Sequence, residues 1–151
     1  MQVLEASRHV AARPDAVWAV MTDLDGSPDA ISAIVGVERL GGQDEFGVGT
    51  RWRETRIMFG REASEVMEVT ELEPGRRYVV ESEGSGARYR SEISVTADGD
   101  GARLSMSFAG EPTGTMARLM AATVGRLFMK ATRKAIEQDL ADIAAAAEAG
   151  Q

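Results

Sequence analysis

The chain has 151 residues, a formal charge of −7, no cysteine and one histidine, His9. Disulfides, thiolate chemistry and metal sites built from several histidines of one chain are therefore excluded. The acidic charge argues against non-specific binding of nucleic acid, whose phosphates attract basic surfaces. With neither a signal-like segment nor an apolar run of about 20 residues, we expect one cytoplasmic domain, residues 1–151, without stable membrane insertion.

The first 35 residues predict a strand and two short helices. Leu4, Ala6 and Val10 share one face of the strand, and His9 lies on the other face with no acid or serine at a motif spacing, which favours a surface or edge-strand position. Pro14 suits the first position of a helix. A second start signal predicts a short helix over residues 28–33.

Residues 35–110 predict a run of antiparallel strands. Glycine-rich turn signals separate segments of roughly 7–12 residues, and connections this short join neighbouring antiparallel strands. Alternation is clearest in the last two segments, for example at Leu104, Met106 and Phe108. An acidic series along the middle of this region is interpreted as solvated surface: Glu62, Glu65, Glu68 and Glu71.

Residues 113–148 predict one long amphipathic helix. Its apolar stripe comprises Met116, Leu119, Met120, Val124, Leu127, Phe128, Ala131, Ala135, Leu140 and Ile143. Such a helix is about 50 Å long, whereas a compact domain of this size is only about 38 Å across. The helix must therefore overhang, bend at Gly125 or fray from Ala144 onward. The helix is amphipathic but not basic enough to predict binding to a membrane surface.

A long antiparallel sheet that curls around one helix leaves volume near the open end of that helix. Aromatic residues make up only 5% of the chain, but there are eight methionines, three of them in the predicted helix. Two interpretations are open: ordinary core filling, or a deformable lining for an apolar ligand.

The strand around residues 50–58 carries charge on both faces. Trp52, Glu54 and Arg56 share one face, and Arg53 and Ile57 share the other. If Trp52 points inward, a Glu54–Arg56 pair is buried with it and must be satisfied by hydrogen bonds. Such a pair could bind the polar end of a ligand. A structural ion pair at the pocket rim, or an exposed pair with Ile57 inward, is the alternative.

Several phrases carry a resemblance to a known superfamily. They are Ala12-Arg13-Pro14-Asp15-Ala16-Val17-Trp18, Met21-Thr22-Asp23, Val37-Glu38-Arg39-Leu40, Gly47-Val48-Gly49-Thr50-Arg51-Trp52, Val69-Thr70-Glu71-Leu72-Glu73-Pro74-Gly75-Arg76-Arg77 and Asp139-Leu140-Ala141-Asp142-Ile143. With them, nearly the whole chain resembles the START-like superfamily, also called SRPBCC or Bet v 1-like, and within it the polyketide cyclase/dehydrase-like proteins.

The resemblance implies an α+β helix-grip fold of order βααββββββα, with a curved seven-stranded antiparallel sheet and an apolar cavity beside the long C-terminal helix. Members bind lipids, sterols and polyketides, and some cyclise or dehydrate polyketides. Because the superfamily shares no universal catalytic motif, the resemblance assigns no catalytic residue. Many members have a tryptophan in the second short helix, where this chain has Ile31.

Three functions are open. The leading hypothesis is binding of a small or medium hydrophobic ligand, lipid-like or polyketide-like, with no metal and no cofactor. Its predicted lining is Trp52, Glu54, Arg56, Met67, Tyr78, Tyr89, Met106, Phe108, Met116, Met120 and Val124. The second is a polyketide cyclase or dehydratase, in which Glu54, Arg56 and Tyr89 supply acid–base and oxyanion groups if they converge. The third is a protein-interaction module with an exposed apolar patch on the sheet; a homodimer is left open.

Overall fold

The computed structural model describes residues 2–42, 45–84 and 86–150. Its elements are, in chain order, β1 Gln2–Val10, α1 Pro14–Met21, α2 Ser27–Ala30, β2 Ile34–Leu40, β3 Arg51–Met58, β4 Arg61–Glu73, β5 Arg77–Gly84, β6 Ala87–Asp98, β7 Gly101–Pro112 and α3 Thr115–Ala149. This is the predicted order of one strand, two short helices, six strands and a long helix.

The strands form one sheet in the order β1-β7-β6-β5-β4-β3-β2, and every neighbouring pair is antiparallel. The first strand thus pairs with the last, and each of the other five pairings joins two strands that follow each other in the sequence. Register shifts in β2 and β4 mark irregularities of the kind that bend a strand. The curved sheet and its long helix confirm the predicted helix-grip fold.

The two short helices close one end of the sheet. α1 begins at Pro14 as predicted and buries Val17 and Met21. The hydroxyl of Tyr78 donates a hydrogen bond to the carbonyl oxygen of Met21 at 2.9 Å, which fixes α1 on β5. α2 is shorter than the predicted 28–33, because the backbone becomes extended at Ile31.

The C-terminal half of α3 packs on the sheet. Its buried apolar residues are Ile136, Leu140, Ile143, Ala144 and Ala147. The predicted fraying from Ala144 is wrong, since Ala144 and Ala147 are each only 2% exposed. Small alanine side chains permit close packing, and Glu148 accepts a hydrogen bond from the backbone N–H of Ala11 at 2.9 Å.

The N-terminal half of α3 extends beyond this core. Large apolar residues of the predicted stripe are exposed here: Met116, Leu119, Met120, Val124, Leu127 and Phe128. Overhang was one of the three outcomes expected for a helix of this length. It occurs at the methionine-rich start of the helix, not at its alanine-rich end.

Candidate functional site

A cavity of about 1510 Å³ lies between the N-terminal half of α3 and strands β1, β6 and β7. We call it the α3 cavity. Its apolar walls include Leu4, Tyr89, Phe108, Pro112, Met116, Met120, Val124, Phe128 and Met129. Its volume exceeds the range of roughly 300–1,000 Å³ that is usual for small-molecule sites.

Small residues on both walls leave this volume unfilled. Ala117, Ala121 and Gly125 line it from the helix, and Gly86 in the turn before β6 and Gly110 on β7 line it from the side of the sheet. A Cβ atom at Gly110 would lie 3.2 Å from ring atoms of Tyr89. Glycine at this position therefore lets the Tyr89 ring lie close over β7.

Tyr89 is the polar residue that enters the apolar wall from β6. Its ring stacks on Phe108, with centroids 5.4 Å apart and planes inclined by 24°. Burial raises the pKa of Tyr89, and the negative charge of Glu65 raises it further. Its hydroxyl is therefore protonated at neutral pH and can donate a hydrogen bond.

Glu65 lies on the inner face of the sheet, contrary to the interpretation of the acidic series as solvated surface. It is opposite Glu54 in the register of β3 and β4, and Ser82 Oγ donates a hydrogen bond to it at 3.4 Å. Burial raises the pKa of Glu65. The sequence does contain a sign of this position, because Glu65 pairs across one hairpin with Glu54, which faces inward. The spacing of three residues between the acids of the series hides that pairing. Glu62, Glu68 and Glu71 are exposed as expected.

A second group of polar residues, the Arg56 cluster, is buried between β3 and α3. It consists of Trp52, Glu54, Arg56 and Asp139. Trp52 Nε1 donates to one oxygen of Glu54 at 3.3 Å, and Arg56 Nε donates to the other at 2.8 Å. The Nη atoms of Arg56 donate to both oxygens of Asp139, at 3.2 and 2.7 Å. Ile57 points outward and is 41% exposed, so the inward face of β3 is the one that carries Trp52.

In the Arg56 cluster, two buried carboxylates share one guanidinium. Burial lowers the pKa of Arg56, but the charges of Asp139 and Glu54 outweigh this and raise it above its ordinary value. Burial raises the pKa of Asp139, and the contact with Arg56 opposes only part of that rise. The cluster is thus satisfied by its own hydrogen bonds, and it ties the helix to β3.

The structure divides the predicted site residues into two sets. Within the described residues, the lining of the α3 cavity includes five of them: Tyr89, Phe108, Met116, Met120 and Val124. The others lie outside that lining: Trp52, Glu54 and Arg56 in the Arg56 cluster, and Met67, Tyr78 and Met106 in or against the hydrophobic core.

The three proposed catalytic residues do not form one contacting group. Glu54 and Arg56 contact each other, whereas Tyr89 lies in the wall of the α3 cavity. Glu65, which the sequence analysis missed, links them on the inner face of the sheet. It lies opposite Glu54 in the register of β3 and β4, and its hydrogen-bond donor Ser82 lies opposite Tyr89 in the register of β5 and β6. Asp139 was also missed, although an acid within an apolar helical stripe is a visible signal.

Other kinds of site are not found in the described part of the chain. Among those residues, no group of three or more histidine, aspartate or glutamate side chains could hold a metal ion. Within the same ranges, no helix is long and apolar enough to cross a membrane.

Comparison with known proteins decides the family. The family model described as "Polyketide cyclase / dehydrase and lipid transport" matches residues 1–148. The chain belongs to this family. The resemblance to the START-like superfamily noted in the sequence is thereby confirmed. A comparison with curated proteins found no match.

Several proteins of known structure have the same fold as this chain. The protein TTHA0849 from Thermus thermophilus has a TM-score of 0.83 at 20% identity, with 99% of each chain covered. A START superfamily protein from Mycobacterium smegmatis has a TM-score of 0.64 at 17% identity, covering 90% of this chain and 97% of that one. The di-domain ARO/CYC StfQ of the steffimycin biosynthetic pathway has a TM-score of 0.74 at 13% identity, covering 97% of this chain and 49% of that one.

Proposed function

We propose that the protein binds a small or medium apolar molecule in the α3 cavity. The observation that carries the proposal is the cavity itself: about 1510 Å³, walled by methionine and aromatic side chains and kept open by glycine and alanine on both sides. Unfilled apolar volume lacks the packing that stabilises ordinary cores. Occupation by an apolar ligand would supply those contacts, and the family's description includes lipid transport.

Methionine suits a ligand of variable shape. Met116, Met120 and Met129 line the cavity from the helix, and their unbranched side chains adapt to irregular surfaces. The Tyr89 hydroxyl offers one hydrogen bond to a polar group of the ligand. We therefore propose a mainly apolar molecule with at least one acceptor oxygen.

The test is to fill the cavity without disturbing the core. Ala121 is exposed and lines the α3 cavity, so an Ala121→Trp side chain would occupy ligand volume. We expect the affinity for an apolar fluorescent probe such as 1-anilinonaphthalene-8-sulfonate to fall by at least about tenfold, a loss of about 1.4 kcal/mol.

The matched control is Ala145→Trp. Ala145 is also exposed on α3, but it lies outside the lining of the cavity. This variant should bind the probe as the natural chain does. Equal probe affinity in all three proteins would contradict the assignment of the cavity as the binding site.

A second candidate function is polyketide cyclisation or dehydration. The family's description and the placement of Tyr89 beside Glu65 favour it. In this reaction the protonated Tyr89 hydroxyl would donate a hydrogen bond to the developing oxyanion of a bound polyketide. A Tyr89→Phe variant should then lose turnover of a linear polyketide while keeping the apolar probe. Turnover that survives in this variant would contradict the role proposed for Tyr89.

The third hypothesis, an interaction module with an apolar patch on the sheet, gains no support from the surface of the sheet. The exposed large apolar residues of its described strands are Val3, Val35 and Ile57. Val3 lies on β1, at the opposite edge of the sheet from the other two. The exposed apolar surface concentrates instead on α3.

A further inference from the structure

One side of α3 is apolar and exposed along its first turns. At 3.6 residues per turn, Met116, Leu119, Met120 and Leu127 fall on one side of the helix. Their exposed fractions are 73%, 61%, 55% and 76%. A contiguous exposed apolar surface of this kind is typical of an interaction site.

The same half of the helix is strongly basic. Residues 113–136 contain five cations and no acid: Arg118, Arg126, Lys130, Arg133 and Lys134. The remainder of α3 contains four acids and no cation: Glu137, Asp139, Asp142 and Glu148. Counted over its whole length the helix is nearly neutral, and the sequence-based judgement that it is not basic enough for a membrane surface did not separate the two halves. Its two halves have opposite charge, in a chain whose net charge is −7.

Phe59, in the turn between β3 and β4, adds another exposed apolar side chain beside the same half of α3. Its ring centroid lies 6.3 Å from that of Phe128 on α3. Its backbone has φ of 53°, a conformation that bulky side chains rarely adopt, and it is 66% exposed. Burial therefore does little to offset the strain, which is the situation expected when a residue is kept for an interaction.

We propose that this surface docks on a membrane that carries anionic lipids. We define the α3 docking face as Phe59, Met116, Leu119, Met120 and Leu127. The apolar side chains would enter the interface. Lys134 falls on the same side of the helix, and Arg126 and Lys130, which also line the α3 cavity, fall beside it, so these three cations would lie near the lipid phosphates. Met116 and Met120 also line the α3 cavity, so the docked face would hold the cavity beside the phase in which an apolar ligand dissolves.

Charge favours a lipid surface over a second copy of the chain. A two-fold dimer built on this face would bring Arg126, Lys130 and Lys134 of both copies to one interface. Like charges placed across an interface are unfavourable. An anionic bilayer is complementary both to the cations and to the apolar stripe.

Vesicle sedimentation tests the proposal. The natural chain should bind vesicles of equal parts phosphatidylglycerol and phosphatidylcholine at least about tenfold more tightly than vesicles of phosphatidylcholine alone. Added NaCl should weaken this binding because it screens the charges. A Leu119→Gln/Leu127→Gln variant should lose at least about tenfold in affinity for the mixed vesicles.

The matched control is Val48→Gln, at a loop residue that is 57% exposed and lies outside the docking face. This variant should bind the mixed vesicles as the natural chain does. A second variant, Phe59→Asn, relieves the positive φ, so it should be as stable as the natural chain or more stable while binding vesicles more weakly.

Three results would overturn the proposal. They are no preference for anionic vesicles, unchanged binding by the double-leucine variant, and a dimer of the natural chain that this variant dissociates in the absence of vesicle binding. The test of membrane docking is independent of the test of ligand binding. Leu119 and Leu127 lie outside the lining of the cavity, so the double variant should still bind the apolar probe in solution.

Discussion

At the scale of single residues, the Arg56 cluster shows what strand alternation can and cannot predict. The parity of β3 correctly predicts that Glu54 and Arg56 point inward if Trp52 does. It cannot predict Asp139, which lies 83 residues along the chain from Arg56 and completes the guanidinium's contacts. A contact between a strand and a distant helix depends on how the helix crosses the sheet, and no local pattern encodes that crossing.

The cluster predicts a large cost for losing its one cation. In Arg56→Met, Glu54 and Asp139 would be left buried without a counter-charge, and Glu54 would keep only its hydrogen bond from Trp52. Breaking a buried pair in this way costs about 3–5 kcal/mol. Guanidinium chloride denaturation should therefore show a free energy of unfolding about 3 kcal/mol or more below that of the natural chain.

Arg53→Met is the matched control on the same strand. Arg53 pairs with Glu38 on the exposed face, where side-chain exposures are 48% and 64%, and exposed pairs of this kind contribute about 1 kcal/mol or less. If both variants lose equally little stability, the Arg56 cluster does not tie α3 to β3 as we describe.

At the scale of elements, α3 is one continuous helix with two different environments. Its apolar rhythm is unbroken, so the sequence predicts one apolar stripe along the whole helix. In the structure only the second half packs on the sheet, and the α3 cavity separates the first half from β1, β6 and β7. The visible difference in sequence is the run of small residues at Ala117, Ala121, Ala122 and Gly125, which cannot fill the space opposite them. Periodicity indicates which side of a helix is apolar, but it does not indicate which part of that side packs against the sheet.

This division predicts unequal protection from hydrogen exchange. Amides of residues 116–128 should exchange faster than those of residues 132–147, since few buried contacts hold the first half to the sheet. Exchange measured by mass spectrometry on overlapping peptides of α3 resolves the two halves within one helix. An apolar ligand in the cavity should slow exchange in the first half and leave the second unchanged. Equal protection of both halves in the unliganded protein would contradict the division.

At the scale of the whole molecule, the order of elements and the antiparallel pairing follow from turn signals and short connections, and the sequence predicted both. The location of the cavity was predicted only in outline. Five predicted residues line it, but six others lie in the core or in the Arg56 cluster. Inward-facing side chains of the sheet either pack under the C-terminal half of α3 or line the α3 cavity under its N-terminal half. Strand alternation predicts which side chains point inward, but it does not predict which of these two regions they enter.

The central claim is that the α3 cavity holds an apolar molecule. Native mass spectrometry of gently purified protein tests it most directly. The natural chain should carry an extractable apolar ligand in one-to-one proportion, Ala145→Trp should carry the same ligand, and Ala121→Trp should have lost it. A ligand retained in equal amount by Ala121→Trp would contradict the account, as would a natural chain that stays empty and takes up no apolar probe.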